Sequence, residues 1–174
     1  MVTTLITYST TDGQTKAICN RIRKVARKPE NIIVSPLSEV ESLQLSKFDQ
    51  LVLGASIRYG KHKPEVIEFV NRNKAFLEQI KTCFFSVNVV ARKPNKNSPA
   101  NNPYLIKFLK QTDWQPNKTF VFAGKIDYPN YKFWDKQIIR LIMYMTKGPT
   151  DTTRTFEFTD WEKVENVARD LETQ

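Results

Sequence analysis

Histidine and cysteine are nearly missing from this 174-residue chain: His62 is the one imidazole, and Cys19 and Cys83 are the two thiols. A single histidine leaves no multi-histidine metal site. Two cysteines without a Cys-x-x-Cys spacing fit neither a zinc site nor a disulfide framework. No acidic cluster has metal-binding spacing, so no metal is expected. Long apolar runs are missing too. The best candidate, Ile138 to Met145, is broken by Arg140 and falls far short of the roughly 20 apolar residues that span a bilayer. The stretch Val2-Thr3-Thr4-Leu5-Ile6 follows no basic segment and contains no small-residue cleavage site. No signal peptide is therefore expected, and a reducing compartment is. Acidic residues are the last shortage: 18 Asp+Glu stand against 27 Lys+Arg, for a net charge of +9 and a pI of about 9.6. Nucleic acid, an anionic membrane surface or an acidic small molecule would each answer that excess. The chain has no RNP-like aromatic motif and no DNA-binding pattern, so nucleic acid is not expected.

What is present is a regular alternation of apolar runs and helical patterns. With 40% hydrophobic and 11% aromatic residues, residues 1–174 suit one domain able to bury roughly 70% of its unfolded surface. Val2 to Tyr8 reads as a strand, followed over Gly13 to Arg27 by Ile18, Ile22, Val25 and Ala26 at helical spacing. Ile32-Ile33-Val34 is a short second strand. Leu51-Val52-Leu53 is a continuous apolar run of the kind buried on both faces of a parallel sheet. Pro64 stands at a first helical position ahead of Val66, Ile67, Phe69 and Val70. A fourth strand begins at Cys83-Phe84-Phe85, a helix covers Tyr104 to Leu109, and a fifth strand runs from Thr119 to Ile126. Thr159-Asp160-Trp161-Glu162 has the capping-box pattern ahead of Val164, Ala168 and Leu171. The alternation predicts an α/β fold with a parallel sheet; five strands in one small domain suggest the flavodoxin-like doubly wound order 2-1-3-4-5, which the pattern by itself does not fix. One segment breaks the rhythm. Residues 127–153 form a connection far longer than the usual 2–6 residues of α/β units, after the main part of the fifth strand.

Ser9-Thr10-Thr11-Asp12-Gly13-Gln14-Thr15 falls between the first strand and its helix, at the carboxyl end where ligands bind in such sheets. Hydroxyls and a helix N-terminus offer donors and a positive dipole to an anion. GxGxxG and Gly-Lys-Ser/Thr are both absent, which disfavours a dinucleotide or a triphosphate with Mg²⁺ and suits a terminal monophosphate. A plain polar N-cap loop is the other reading of the same residues.

That loop, Gly54-Ala55-Ser56-Ile57-Arg58-Tyr59-Gly60, the stretch Ser86 to Pro94, Tyr128-Pro129 and Leu141-Ile142-Met143 together resemble the menaquinone-dependent protoporphyrinogen oxidase family of bacteria. The resemblance extends over essentially the whole chain. It implies FMN as cofactor, with the phosphate held by Ser9, Thr10, Thr11, Gly13, Gln14 and Thr15. Asp12 departs from the usual flavodoxin loop and would repel a phosphate unless its carboxylate turns away to accept backbone N–H bonds. The resemblance further implies that Ser56, Ile57, Arg58 and Tyr59 flank the flavin ring with Ser86, Val87 and Asn88, and that Thr152 adjoins the cofactor. Tyr59 would stack on the ring; otherwise it is a surface aromatic. The implied reaction is successive two-electron oxidation of protoporphyrinogen IX to protoporphyrin IX in haem biosynthesis, with menaquinone or another quinone as acceptor. No general acid or base is indicated.

Arg58, Lys61, Lys63, Arg92 and Lys93 cluster in the two loops expected to border the ring. Positive charge there would favour an anionic reduced flavin and meet the substrate's propionates. In the long segment, Trp134, Ile138, Leu141, Ile142 and Met145 project onto one helical face, and Lys136, Arg140 and Lys147 onto the other. Such a basic amphipathic helix is expected to touch an anionic membrane and a lipid-soluble quinone, placing the protein peripherally on the cytoplasmic face of the inner membrane, or else in the cytoplasm. The same face would otherwise pack on the sheet or form a homo-oligomer. His62 is expected to be a polar loop residue or a proton shuttle, and both cysteines small buried apolar residues. The competing functions are a flavodoxin-type electron carrier and an FMN-dependent quinone reductase.

Overall fold

The short apolar runs of the sequence become five parallel strands. The computed structural model describes residues 2–172. In chain order these form β1 (Thr4–Ser9), α1 (Gln14–Val25), β2 (Ile32–Pro36), β3 (Gln50–Arg58), β4 (Lys61–His62) and α2 (Pro64–Leu77). There follow β5 (Lys81–Val87), α3 (Pro103–Thr112), β6 (Lys118–Phe122), β7 (Lys125–Asp127), α4 (Phe133–Met145), β8 (Thr155–Glu157) and α5 (Trp161–Glu172). The parallel strands lie in the order β2-β1-β3-β5-β6. Counted alone they read 2-1-3-4-5, the order expected of a flavodoxin-like sheet.

Alternating side chains feed two cores. Ile6, Val52, Cys83 and Phe85 point to α1 and α5, where Ile18, Ile22, Val164, Val167 and Ala168 cover them. Leu5, Leu51, Leu53 and Phe84 point the other way, to Val66, Phe69 and Val70 of α2 and to Leu105 and Phe108 of α3. Each fully buried aliphatic or aromatic side chain contributes about 1.5–3 kcal/mol, so both faces of the central strands are strongly held. Pro64 opens α2 as its first residue, where its missing N–H costs nothing. Both cysteines are buried, and burial raises the pKa of each thiol.

Two local expectations need correction. The fifth strand does not run through to Ile126. It stops at Phe122, and β7 leaves the sheet to pair antiparallel with β8. The returning chain causes the break, because Phe158 N donates to Gly124 O (3.1 Å) and Thr159 Oγ1 to Ala123 O (2.8 Å). For the same reason no capping box forms at Thr159. Its hydroxyl is already engaged, and Asp160 Oδ1 takes the Lys163 N–H instead (3.0 Å). The long connection between β7 and β8 carries α4 and a small core of its own, Ile126, Tyr128 and Met143, packed with Ile139, Ile142 and Phe156.

Candidate functional site

A cleft of about 380 Å³ opens at the carboxyl ends of β1, β3 and β5, roofed by α4. A second cavity of about 310 Å³ lies at the amino ends of the strands, among Thr4, Ile22, Gln50 and Lys81. Ligands of doubly wound sheets bind at the carboxyl side, so the first is the candidate site.

Thr10, Thr11, Asp12, Gln14 and Thr15 line its floor. Gly13 enters α1 with φ 81° and donates its N–H to Thr10 Oγ1 at 3.0 Å; a left-handed residue there suits glycine. Lys63 Nζ donates to Thr10 O at 3.0 Å, bracing the loop from below. The first N–H groups of α1 have no intrahelical acceptors and mark the positive end of the helix. Thr15 Oγ1 and Ser56 Oγ are buried without a hydrogen-bond partner among the described residues, and both residues line the cleft. An unsatisfied buried hydroxyl costs about 1–3 kcal/mol, so a polar ligand that completes both would be favoured. Together these features fit the terminal phosphate of a polar ligand.

Ser9 and Gln14 are turned to other work. Ser9 Oγ donates to Glu65 at 2.6 Å. Gln14 Nε2 donates to Glu157 (3.0 Å) and Thr159 (2.8 Å), tying the loop to the end of the insertion.

Asp12 does turn away from the loop, but not toward backbone N–H groups. Its carboxylate meets the Arg58 guanidinium at 3.3 Å and accepts from the Tyr131 hydroxyl at 2.9 Å. Arg58 also pairs with Asp135 of α4 at 3.3 Å, and Tyr59 donates its hydroxyl to the same Asp135. The guanidinium lies over the Tyr131 ring (4.9 Å) and the Tyr59 ring (5.2 Å). Tyr59 and Gly60, at φ 50° and 77°, form the two-residue tip joining β3 to β4, the type I′ geometry of a tight hairpin. That hairpin sets Tyr59, half-exposed, against the cleft.

The structure does not bring the expected cations together around the ring site. Arg58 is neutralised by two carboxylates. Arg92 donates to Val89 O and Thr146 O, both at 3.0 Å, and so staples the end of α4 to the loop after β5. Lys61 lies outside the cleft, on a surface groove with Lys107 and Lys110. Lys63 serves Thr10, and Lys93 lies outside the cleft lining. Lys125, which the sequence did not single out, lines the cleft and stands 3.8 Å from Asp127.

Val87 and Asn88 line the cleft, whereas Ser86 is fully buried behind it. Asn88 Nδ2 donates to Ser86 Oγ (3.1 Å), and Asn88 Oδ1 accepts from Ala91 N (3.1 Å) and Asn102 Nδ2 (3.1 Å). His62 is not a loop residue. It sits in β4, 5% exposed, with Nε2 3.1 Å from Ser86 Oγ and its ring edge-on to Phe84 and Phe108. Burial pushes its pKa down to about 4. Thr152 lies outside the cleft lining, whereas Tyr104, Tyr131, Ile139 and Met143 belong to it. Met143 lies in a stretch the resemblance marks; Tyr104, Tyr131 and Ile139 carry no local signal, since they reach the cleft only through the packing of α3 and the insertion.

The insertion helix divides its faces with a phase the sequence alone did not set. Ile139, Ile142 and Met143 face the cleft, so Ile142 is not part of the outer face. Outward stand Phe133, Trp134, Ile138, Leu141, Tyr144 and Met145, with Trp134 and Tyr144 each 75% exposed, and Arg140 is exposed beside them. Among the described residues no helix is long and apolar enough to cross a membrane.

The strand order, the hydroxyl-rich turn after β1 and the aromatic-sided cleft at the switch point define a flavodoxin-like α/β protein. The chain belongs to the flavodoxin domain family, which matches residues 5–153, and within it to the family of protoporphyrinogen IX dehydrogenases (quinone). It is 40% identical over 169 residues to the protein of that name from Escherichia coli (strain K12), covering 97% of this chain and 93% of that one. It is also 40% identical to the one from Leishmania major, covering 96% and 73% respectively. Among solved structures, the fold is similar to oxidised Flavodoxin 1 from Bacillus cereus, with a TM-score of 0.56 and 16% identity over 99% of this chain and 98% of that one. A flavodoxin from the domain Archaea gives 0.53 and 12% over 98% and 96%.

Proposed function

We propose that this protein is an FMN-dependent dehydrogenase that oxidises protoporphyrinogen IX to protoporphyrin IX and delivers the electrons to a quinone, menaquinone by preference, while docked on an anionic membrane. The observation that carries the reading is the meeting of two unpartnered hydroxyls, Thr15 Oγ1 and Ser56 Oγ, in one cleft under a helix with an apolar outer face.

In this reading Thr10, Thr11, Thr15 and the start of α1 hold the phosphate, with Asp12 kept from repelling it by Arg58. Ser56, Tyr59, Val87 and Asn88 hold the ring. Bound there, FMN supplies two-electron redox chemistry toward substrate and quinone. Ile139, Ile142 and Met143 exclude water above the site and offer an apolar wall to the macrocycle. The bare outer face of α4, with Lys132, Lys136, Arg140 and Lys147 near it, gives a surface for the headgroup region of an anionic bilayer, where each basic residue contributes about 1 kcal/mol. Docking there would bring the cleft to the phase that dissolves both quinone and porphyrinogen.

The test is turnover by the purified, FMN-loaded protein of protoporphyrinogen IX with a menaquinone analogue, alongside flotation with anionic and neutral vesicles. Porphyrin formation and selective flotation with the anionic vesicles are expected. A flavoprotein that forms no porphyrin under these conditions overturns the reading.

A further inference from the structure

Arg58 is the one guanidinium lining the cleft among the described residues, and it is fully committed. One of its carboxylates, Asp12, belongs to the loop after β1 and is fixed a second time by the Tyr131 hydroxyl at 2.9 Å. The other, Asp135, comes from α4 and is held by Arg58 at 3.3 Å and by Tyr59. The two differ in freedom. Asp135 is the more exposed, at 34% against 24% for Asp12. It is also the polar tether of the first half of α4, since Phe133, Trp134 and Ile138 face outward. The far end of α4 is stapled independently by Arg92 on Thr146 and by Gly148 N on Met143 O. The helix is therefore anchored at its C-terminal end, and within its first turn the acid Asp135 clasps it to Arg58 and Tyr59, while Tyr131, just before the helix, is held separately by Asp12 and Asp127 N.

A guanidinium 18% exposed and already paired with two acids accepts a third carboxylate only if one leaves, because an extra buried negative charge is costly. We propose that Asp135 is an internal stand-in for a substrate carboxylate: the substrate's carboxylate replaces it on Arg58 and Tyr59, which releases the first half of α4 and admits the substrate beneath it. Asp135 is thereby a specificity-determining residue for carboxylate-bearing substrates. The exchange trades one carboxylate for another, so Arg58 keeps its charge balance, no proton moves, and Asp135 passes to water. An esterified analogue lacks the charge to take its place and meets a closed helix. The inference rests on the reading of a tetrapyrrole dicarboxylate as substrate.

The test uses the FMN-loaded protein with protoporphyrin IX, the stable product, and its dimethyl ester in the same detergent, reading amide hydrogen exchange along α4. The acid is expected to speed exchange in residues 133–139 about tenfold or more while residues 140–146 stay protected, and the ester to leave both unchanged. D135N, its folding checked by thermal unfolding, is expected to show fast exchange in residues 133–139 without ligand. It is also expected to bind the acid about fivefold more tightly than the native protein, because the internal competitor is gone; D135E restores native affinity. A merely structural aspartate predicts weaker binding instead. Binding of the acid with no change at α4, or weaker binding by D135N, overturns the exchange and leaves the proposed function standing. If the acid does not bind and protoporphyrinogen is not turned over, the functional reading falls and the exchange with it.

Discussion

His62 Nε2 lies 3.1 Å from the Ser86 hydroxyl, inside the protein and between the rings of Phe84 and Phe108. No acidic group among the described residues balances a charge there, and burial pushes the imidazole pKa from 6.5 to about 4. Between those values the unfolded chain binds the proton and the folded one does not. Stability is therefore full above pH 6.5 and falls as the pH drops toward 4, by about 3 kcal/mol in total from this group. Urea unfolding at pH 7 and pH 5 measures the loss, and His62→Gln is expected to flatten it. An unchanged slope in that variant would show that other groups set the acid limit.

Among the described residues, Thr15 Oγ1 and Ser56 Oγ have no hydrogen-bond partner. Thr15→Val is expected to leave the stability of the FMN-free protein unchanged or slightly higher, since an orphaned hydroxyl is removed, while weakening FMN by about 10- to 100-fold, the value of a hydrogen bond to a charged group. Flavin-fluorescence titration reads the affinity and thermal unfolding the stability. Parallel loss of both would mean that Thr15 serves packing alone.

Gly54, in the middle of β3, faces the ring of Phe85, where an added Cβ would lie 2.2 Å from the nearest ring carbon. Phe85 is itself fully buried against Phe122 and has little room to retreat. Gly54→Ala is expected to cost about 1–3 kcal/mol through overpacking, seen as a lower denaturant midpoint with an unchanged m-value.

Leu141 and Trp134 stand on the outer face of α4, exposed by 58% and 75%. Leu141→Glu should change stability by less than about 0.5 kcal/mol, as surface substitutions usually do. On the proposed docking it should nonetheless reduce flotation with anionic vesicles at least several-fold. Equal flotation would place the docking face elsewhere on the molecule.

The chain itself determined the parts that depend on local pattern. Leu51-Val52-Leu53 and Cys83-Phe84-Phe85 are buried on both faces because an uninterrupted apolar run has no other stable place in an α/β protein. The turn from Thr10 to Thr15 is set by glycine at the mouth of α1 and hydroxyls around it. The helical period of residues 133–145 was equally legible. Its phase was not, because Ile142 turns inward only once β7 and β8 pair and the small core around Tyr128 closes.

Tertiary structure alone decided the electrostatics of the cleft. Arg58 reads in sequence as a free cation for an acidic substrate, yet Asp12 and Asp135 reach it from distant segments and cancel it. His62 sits among Gly60, Lys61 and Lys63 in the chain, which looks like a solvated loop. The hairpin tip at Tyr59-Gly60 folds it under α3 and against Ser86. Hydrophobic pattern is a property of neighbours in sequence and survives into the fold. Charge pairing and the burial of a lone imidazole belong to neighbours in space, and they exist only after the sheet, α3 and the insertion have come together.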